Sequence, residues 1–364
     1  MEKLIDPWAS FSLDYDKLIE HFGIDEISQM IDNIKNPHIL MRRGVIFGHR
    51  DFDKINNLIN QNKDFAVVSG MMPSGQMHIG HKMVVDQLKY YQDLGAMLSL
   101  PIADLEAYAA RKISFEKGRE IAINEYLTNW IALGLDLEDN VNVYLQSQNI
   151  QLQKLAFKSS NKVNFNQLHS IYGFDQSLSI SHIQSPLFQV ADILLPQIEE
   201  FGGPKNVLVP VGIDQDPHIK LTRDISQRLF AEEGFIKPAS TYHRFLTGLT
   251  GDKMSSSKPS TAIYLNDDTN TAIKKIKSAK TGGRESLKEQ QKLGGEVDKC
   301  VVYEMFLYHF IEDDEKLKEI RQDCLNGTLR CGDCKLRAAE LLEEFMDDLH
   351  EKQNDAVEIA ENLI

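Results

Sequence analysis

Cysteine and tryptophan are scarce in this chain of 364 residues, at four and two copies, and proline is held to 11. So few cysteines exclude a disulfide-stapled secreted scaffold. No apolar run approaches the roughly 18 residues that cross a bilayer, which excludes an integral helical membrane protein. The opening Met1-Glu2-Lys3-Leu4-Ile5-Asp6-Pro7 carries acid where a signal peptide carries base, so a reduced, cytoplasmic protein without a membrane partner is expected. Basic residues are in deficit as well: 40 Lys and Arg against 54 Asp and Glu leave a net charge of −14. A surface that acidic repels polyanions in bulk and argues against a general nucleic-acid coat protein.

What is present is ordinary globular composition, 42% apolar and 26% charged, long enough for two or three domains. Residues 1–60 are mixed and polar, with helix expected near Tyr15–Ile34 and an extended piece at Arg42–Phe47. Short apolar runs at Phe65–Gly70, Ala96–Ala103, Val141–Leu145 and Val207–Ile213 read as strands. Helical patterns at Met83–Tyr91 and Phe115–Leu135 lie between them, which predicts an α/β fold with a parallel sheet. Such sheets bind ligands beyond the carboxyl ends of their strands, where strand order reverses. From about Asn270 onward only charged helical periodicity remains, so an all-helical second domain is expected.

Three segments carry chemistry. After the first strand of the α/β region, Pro73-Ser74-Gly75-Gln76-Met77 leads into His78-Ile79-Gly80-His81 at the start of a helix. Gly80 admits a close ligand, and a helix N-terminus offers free N–H groups and a positive dipole end to an anion. The two imidazoles add donors for phosphate oxygens. The second segment, Gly251-Asp252-Lys253-Met254-Ser255-Ser256-Ser257-Lys258, reads as a loop with two ammonium groups, because its serine hydroxyls compete for backbone hydrogen bonds. Alone it would pass for an exposed linker. The third is Gly212-Ile213-Asp214-Gln215-Asp216 at the end of a strand, where an amide and a carboxylate can meet a ribose or a zwitterion; Asp216, ahead of Pro217, reads as a helix cap.

Nothing in the chain suggests a Ser/His/Asp ordering, a Walker loop or a two-metal carboxylate cluster. Attack of a carboxylate on the α-phosphorus of ATP needs none of these. The nucleophile is already ionised, so catalysis rests on positioning and on stabilising the leaving pyrophosphate. Lys253 and Lys258 suit that task, with His78 and His81 on the phosphates.

The pair His78-Ile79-Gly80-His81 and Lys253-Met254-Ser255-Ser256-Ser257 resembles the signature of class I aminoacyl-tRNA synthetases. Further stretches resemble the archaeal and eukaryotic type of tryptophanyl-tRNA synthetases: Asp6-Pro7-Trp8, Arg42-Arg43-Gly44, His49-Arg50-Asp51, Ile171–Phe174, Gly212–Pro217, Thr222–Asp224, Thr281–Arg284 and Gly294-Gly295. The resemblance implies a Rossmann-like catalytic domain at 65–268 with a dimer-forming insertion, an extension at 1–64 and a helical anticodon-binding domain at 269–364. It implies a homodimer that uses ATP and Mg²⁺ to join tryptophan to tRNA(Trp). By position, Gly75, His78, Gly80, His81, Gly212, Asp214, Lys253, Met254, Ser255 and Ser256 would meet ATP, and Glu106, Gln189 and Gln215 the amino acid. Val68 and Pro101 stand where eukaryotic members place groups that reach the indole N–H, and neither side chain can hydrogen-bond. Asp192 stands where related tyrosyl enzymes use an aspartate, and it suits an indole N–H or a phenol, which leaves tyrosine as the competing substrate.

Between Lys274 and Lys292 lie seven basic residues and two acids, a stretch that suits a solvated helix face or a tRNA backbone. All four cysteines, Cys300, Cys324, Cys331 and Cys334, fall in one window of the helical region. Their uneven spacing suits a 4Fe-4S cluster better than Zn²⁺, and it resembles a run found in some tryptophanyl enzymes; free thiols are the third reading.

Overall fold

The structure is a computed structural model that describes residues 15–251, 254 and 258–364. Seven strands form one sheet: β1 (Asp25–Glu26), β2 (Ile46–Arg50), β3 (Ala66–Val68), β4 (Met97–Ile102), β5 (Val141–Leu145), β6 (Val207–Gly212) and β7 (Ala239–His243). Their order across the sheet is β1-β2-β7-β6-β3-β4-β5. The five strands from β7 to β5 are parallel. The sheet is not parallel throughout, because β2 pairs antiparallel with β7, and β1 with β2. β3 and β6 are almost entirely buried, as expected of central strands covered on both faces.

Helices fill the connections: α1 (Ile79–Asp93), α2 (Asp104–Arg111), α3 (residues 115–132), α4 (Ile150–Ser160), α5 (Ile180–Leu194) and α6 (Asp216–Glu233). The middle of α3, Ala122–Leu127, widens into a π-helical turn. The single helix expected over Tyr15–Ile34 is broken. It stops at Phe22, because Gly23 takes a left-handed φ of 60°, and Ile27–Asn33 continue as 3-10 turns after β1.

After β7 the named elements are helical: among them α7 (Thr269–Ser278), α8 (Asp314–Leu325) and α9 (Cys331–Leu363). The long helix α9 packs against α7 and against α3. A second tie runs through Arg43, whose buried guanidinium donates to Asp314 at 2.7 Å, Leu307 O at 2.6 Å and Ile311 O at 2.7 Å. Arg43 thereby satisfies carbonyls near the end of the π-helical turn Phe306–Phe310, which a regular helix would leave open. Among the described residues no helix is long and apolar enough to cross a membrane.

β7 ends in His243, buried with its Nδ1 3.3 Å from Gln87 Nε2. Burial lowers its pKa to about 4. An unfolded chain takes up this proton near pH 6.5, about the ordinary histidine value, whereas the folded chain does not until about 4. The stability that the neutral ring contributes is thus present above pH 6.5 and lost as pH falls toward 4. Melting temperatures across that range should fall with acid, and His243→Asn should reduce the slope. An unchanged slope in the variant would remove His243 from the acid response.

Candidate active site

β3 lies between β6 and β4, and the chain leaves it in one direction for β4 and β5 and later returns on its other side for β6 and β7. Strand order reverses at β3, so the crevice beyond β3 and β6 is where this architecture receives a ligand. The turn 69–78 follows β3 directly, and Gly212–Gln215 close β6. Sequence segments more than 130 residues apart are therefore neighbours at one switch point.

The turn enters α1 through a reciprocal cap. His78 Nδ1 accepts from the Gly80 N–H at 3.1 Å, and His81 Nδ1 accepts from the His78 N–H at 3.0 Å. The two rings stack with centroids 3.8 Å apart. With each Nδ1 an acceptor, the proton of each neutral ring sits on Nε2 and makes it a donor. Burial lowers both pKa values, helped at His78 by His81, and holds His81 at about 4. The pair offers neutral N–H donors at a helix tip whose dipole already favours an anion.

The later loop comes back to this tip. Ile79 N–H donates to Ile263 O and Leu265 N–H to Met77 O, both at 2.9 Å, so the chain after the loop lies along the turn. Met254 is buried, and its Sδ is 3.6 Å from where a Cβ on Gly80 would stand. Lys258 is exposed, and its carbonyl accepts from Thr261 N–H and Oγ1 at 2.9 and 2.7 Å. Lys253, Ser255 and Ser256 lie outside the described residues, as does Asp6-Pro7-Trp8. Gly212 is required by its neighbours, since a Cβ there would lie 2.6 Å from the Phe245 ring and 2.8 Å from Asp214 Oδ1. Asp216 does not cap its helix. α6 starts at Asp216 itself, and the buried carboxylate instead accepts from Arg50 at 2.9 Å, from Lys220 at 3.0 Å and from the Tyr242 hydroxyl.

The other end of the crevice is acidic. Gln189 Nε2 donates to Glu106 Oε2 at 2.9 Å. Asp192 accepts from the Tyr144 hydroxyl at 2.9 Å and from Gln146 Nε2 at 2.6 Å. Burial raises the Glu106 pKa and lifts Asp192 to about 8, with Glu106 and Asp104 adding repulsion at Asp192. Gln146 Oε1 and Gln189 Oε1 are buried without a hydrogen-bond partner among the described residues. Raised carboxylates with buried free acceptors suit a ligand that brings N–H groups and positive charge. Gln215 is half-buried at the mouth after β6, Val68 is buried in β3, and Pro101 lies in β4 against Gly70.

Tyr144 and Gln146 escaped the sequence reading. Two residues apart at the end of a strand, they share one face and reach Asp192 together, a polar i, i+2 pair that was the available signal. Tyr172, within the Ile171–Phe174 stretch, has its hydroxyl 2.9 Å from His218 Nδ1.

The metal centre expected at the cysteines finds no support, although folding does gather the four side chains. Cys300, Cys324, Cys331 and Cys334 line one cavity with Tyr303 and Phe306. Yet among the described residues no three His, Cys, Asp or Glu side chains form a group that could hold a metal ion. Burial first, then the three neighbouring sulfurs, push the Cys334 thiol up to about 12.

The family profile for class I tRNA synthetases (W and Y) matches residues 60–347. A tryptophan–tRNA ligase of Methanocaldococcus jannaschii is 55% identical over 363 residues, covering 99% of this chain and 98% of its own. One from Methanopyrus kandleri is 47% identical, covering 99% and 96%. The crystal structure of the tryptophanyl-tRNA synthetase from Aeropyrum pernix matches with a TM-score of 0.92 at 43% identity over 96% of each chain. Similarity of that depth along the whole chain, on a sheet with His78–His81 and Met254 beside its switch point, means that this chain belongs to the class I tRNA synthetases, and within them to the tryptophanyl-tRNA synthetase family.

Proposed function

We propose that this enzyme activates tryptophan with ATP and Mg²⁺ and transfers it to tRNA(Trp). The observation that carries the reading is the approach of Met254 to Gly80, which brings the loop bearing Lys253 to the histidine-capped tip of α1. In the first step the tryptophan carboxylate attacks the α-phosphorus, an anhydride bond forms, and pyrophosphate leaves. His78, His81, Lys253 and Lys258 neutralise the charge that builds on the phosphates. Gly75, Gly80, Gly212, Asp214, Met254, Ser255 and Ser256 make up the nucleotide site. Glu106, Gln189 and Gln215 hold the amino and carboxylate groups, and Asp192 reads the ring N–H. In the second step a ribose hydroxyl of the tRNA terminus attacks the carbonyl and releases AMP.

Exposed Lys274, Lys277, Lys280, Lys288 and Lys292 support a tRNA backbone contact, with residues 269–364 as the anticodon-binding part, 65–268 as the catalytic part and 1–64 as its extension. By contrast Lys275 and Arg284 are internally engaged, with Asp267 at 2.6 Å and Glu296 at 3.6 Å. A homodimer is supported by apolar side chains left outside. Ile150 and Phe157, 59% and 74% exposed, share one face of α4, and Phe230 on α6 is 62% exposed. The ion pairs Lys158–Glu233 and Lys162–Glu232, both 2.5 Å, hold those two helices side by side, so the residues form one patch.

Three outcomes test the reading. ATP–pyrophosphate exchange should run with tryptophan and far less with tyrosine or phenylalanine, and Lys253→Ala should slow it by about two to three orders of magnitude, the scale of one charge-stabilising group. Exchange driven by tyrosine instead would overturn the substrate assignment. Because burial lifts the Asp192 carboxyl to about 8, the KM for tryptophan should fall as pH rises toward 8 and that group ionises. Asp192→Asn should raise that KM and flatten the profile; a parent enzyme with a pH-independent KM would contradict the role. Phe157→Asp should convert a dimer to a monomer in sedimentation, and an unaffected dimer would put the interface on another face.

A further inference from the structure

The π-helical turn Ala122–Leu127 is not used by the activation chemistry, yet two of its residues hold the nucleotide turn. A π turn carries an extra residue and is often kept where side chains must be re-aimed. Here Thr128 Oγ1 donates to Ile123 O, five residues back, at 2.8 Å and satisfies a carbonyl of the widened turn. The Tyr126 hydroxyl stands 3.0 Å from both Met72 O and Gly75 O, sharing one proton between two carbonyls of the segment that leads into His78. Glu125 accepts from Asn266 Nδ2 at 3.0 Å, and its carboxylate lies near enough to the Met77 N–H and the Gln76 side chain for both to stabilise its charge. Burial pushes the Tyr126 phenol up to about 12, so it stays a donor at neutral pH.

The network continues into the helical region. Gln353 of α9 donates from Nε2 to Asn129 Oδ1 at 2.8 Å and to Asn266 Oδ1 at 2.9 Å. A path of hydrogen bonds thus joins the long terminal helix, through Asn266, to Glu125, whose carboxylate lies beside Gln76 and Met77. The turn itself is built from Pro73 and Gly75 and has little internal stiffness; Ser74 N–H to Met72 O, at 2.8 Å, is its own bond. In a trans peptide the N–H points opposite the C=O, so fixing the Gly75 carbonyl also fixes the direction of the Gln76 N–H.

We propose that Tyr126 and Glu125 are positioning residues for ATP, setting the backbone of residues 72–77, and that Gln353 braces them from the helical region. This rests on the reading of that turn as the nucleotide site. Each residue acts through backbone groups, so its loss should weaken ATP and leave the acidic amino-acid end unaltered. A structural role alone would instead lower stability and affect both substrates alike.

The test is ATP–pyrophosphate exchange on the full-length chain, with KM measured separately for ATP and tryptophan and melting temperature recorded for each variant. Tyr126→Phe should raise the KM for ATP about three- to tenfold, the scale of one lost hydrogen bond. The KM for tryptophan should stay within twofold, about the uncertainty of such comparisons. Gln353→Met, some distance from the turn, should move the ATP value in the same direction by less. An unchanged KM for ATP in Tyr126→Phe overturns the inference alone. So does a parallel rise in both KM values with a lowered melting temperature, which marks the pair as merely structural. A parent enzyme with no tryptophan-dependent exchange defeats the activation reading first, and this inference with it.

Discussion

The two backbone hydrogen bonds that lay residues 263–265 along Met77 and Ile79 are the constraint on which the rest depends. They join segments nearly 190 residues apart at the carboxyl end of β3, and they bring Met254 to Gly80. Without them the histidine-bearing helix tip would be an anion site open on one side. With them, the chain that follows the Lys253 segment is fixed beside that tip.

Around that junction the crevice is electrically divided. At the α1 end burial keeps His78 and His81 neutral, so the helix dipole and N–H donors face an anion without two extra imidazolium charges to desolvate. At the α5 end burial raises Glu106, and burial with repulsion from Glu106 and Asp104 raises Asp192, a cost that a ligand's ammonium and ring N–H would offset. A molecule with polyphosphate at one end and a zwitterion at the other is matched by that gradient. The same low-dielectric packing serves both halves, in opposite directions.

The helical region is bound to the sheet at several separate points. Arg43 reaches Leu307, Ile311 and Asp314 from the segment before β2, Gln353 meets Asn129 and Asn266, and the Glu304 carboxylate accepts from the Thr247 N–H at 3.1 Å. Glu304 is itself raised by burial, and Arg244 opposes that shift. Thr247 is only six residues before Lys253. Contacts from the helical region thus reach Asn129 and Asn266 from one side and Thr247 from another.

Local sequence determined much of this protein. Runs such as Val207–Val211 can only be buried strands, a turn of proline and glycine before His78 can only break them, and the two signature motifs specify phosphate chemistry through the residue types they contain. The strands at Val141–Leu145 and Val207–Gly212 and the helix after His78 lie where those patterns put them. Other features required the third dimension. The antiparallel edge of β1 and β2 arises from pairing with β7, which no local periodicity encodes. Asp216 had the spacing of a cap but was taken by Arg50 from another strand, because a buried carboxylate binds the strongest donors within reach. Tyr144 and Gln146 matter only because α5 delivers Asp192 to them, and only folding brings the four cysteines to the wall of one cavity. Periodicity and turn chemistry act between neighbours in the chain and are legible there, whereas hydrogen-bond partners and pKa values are set by groups that only folding brings together.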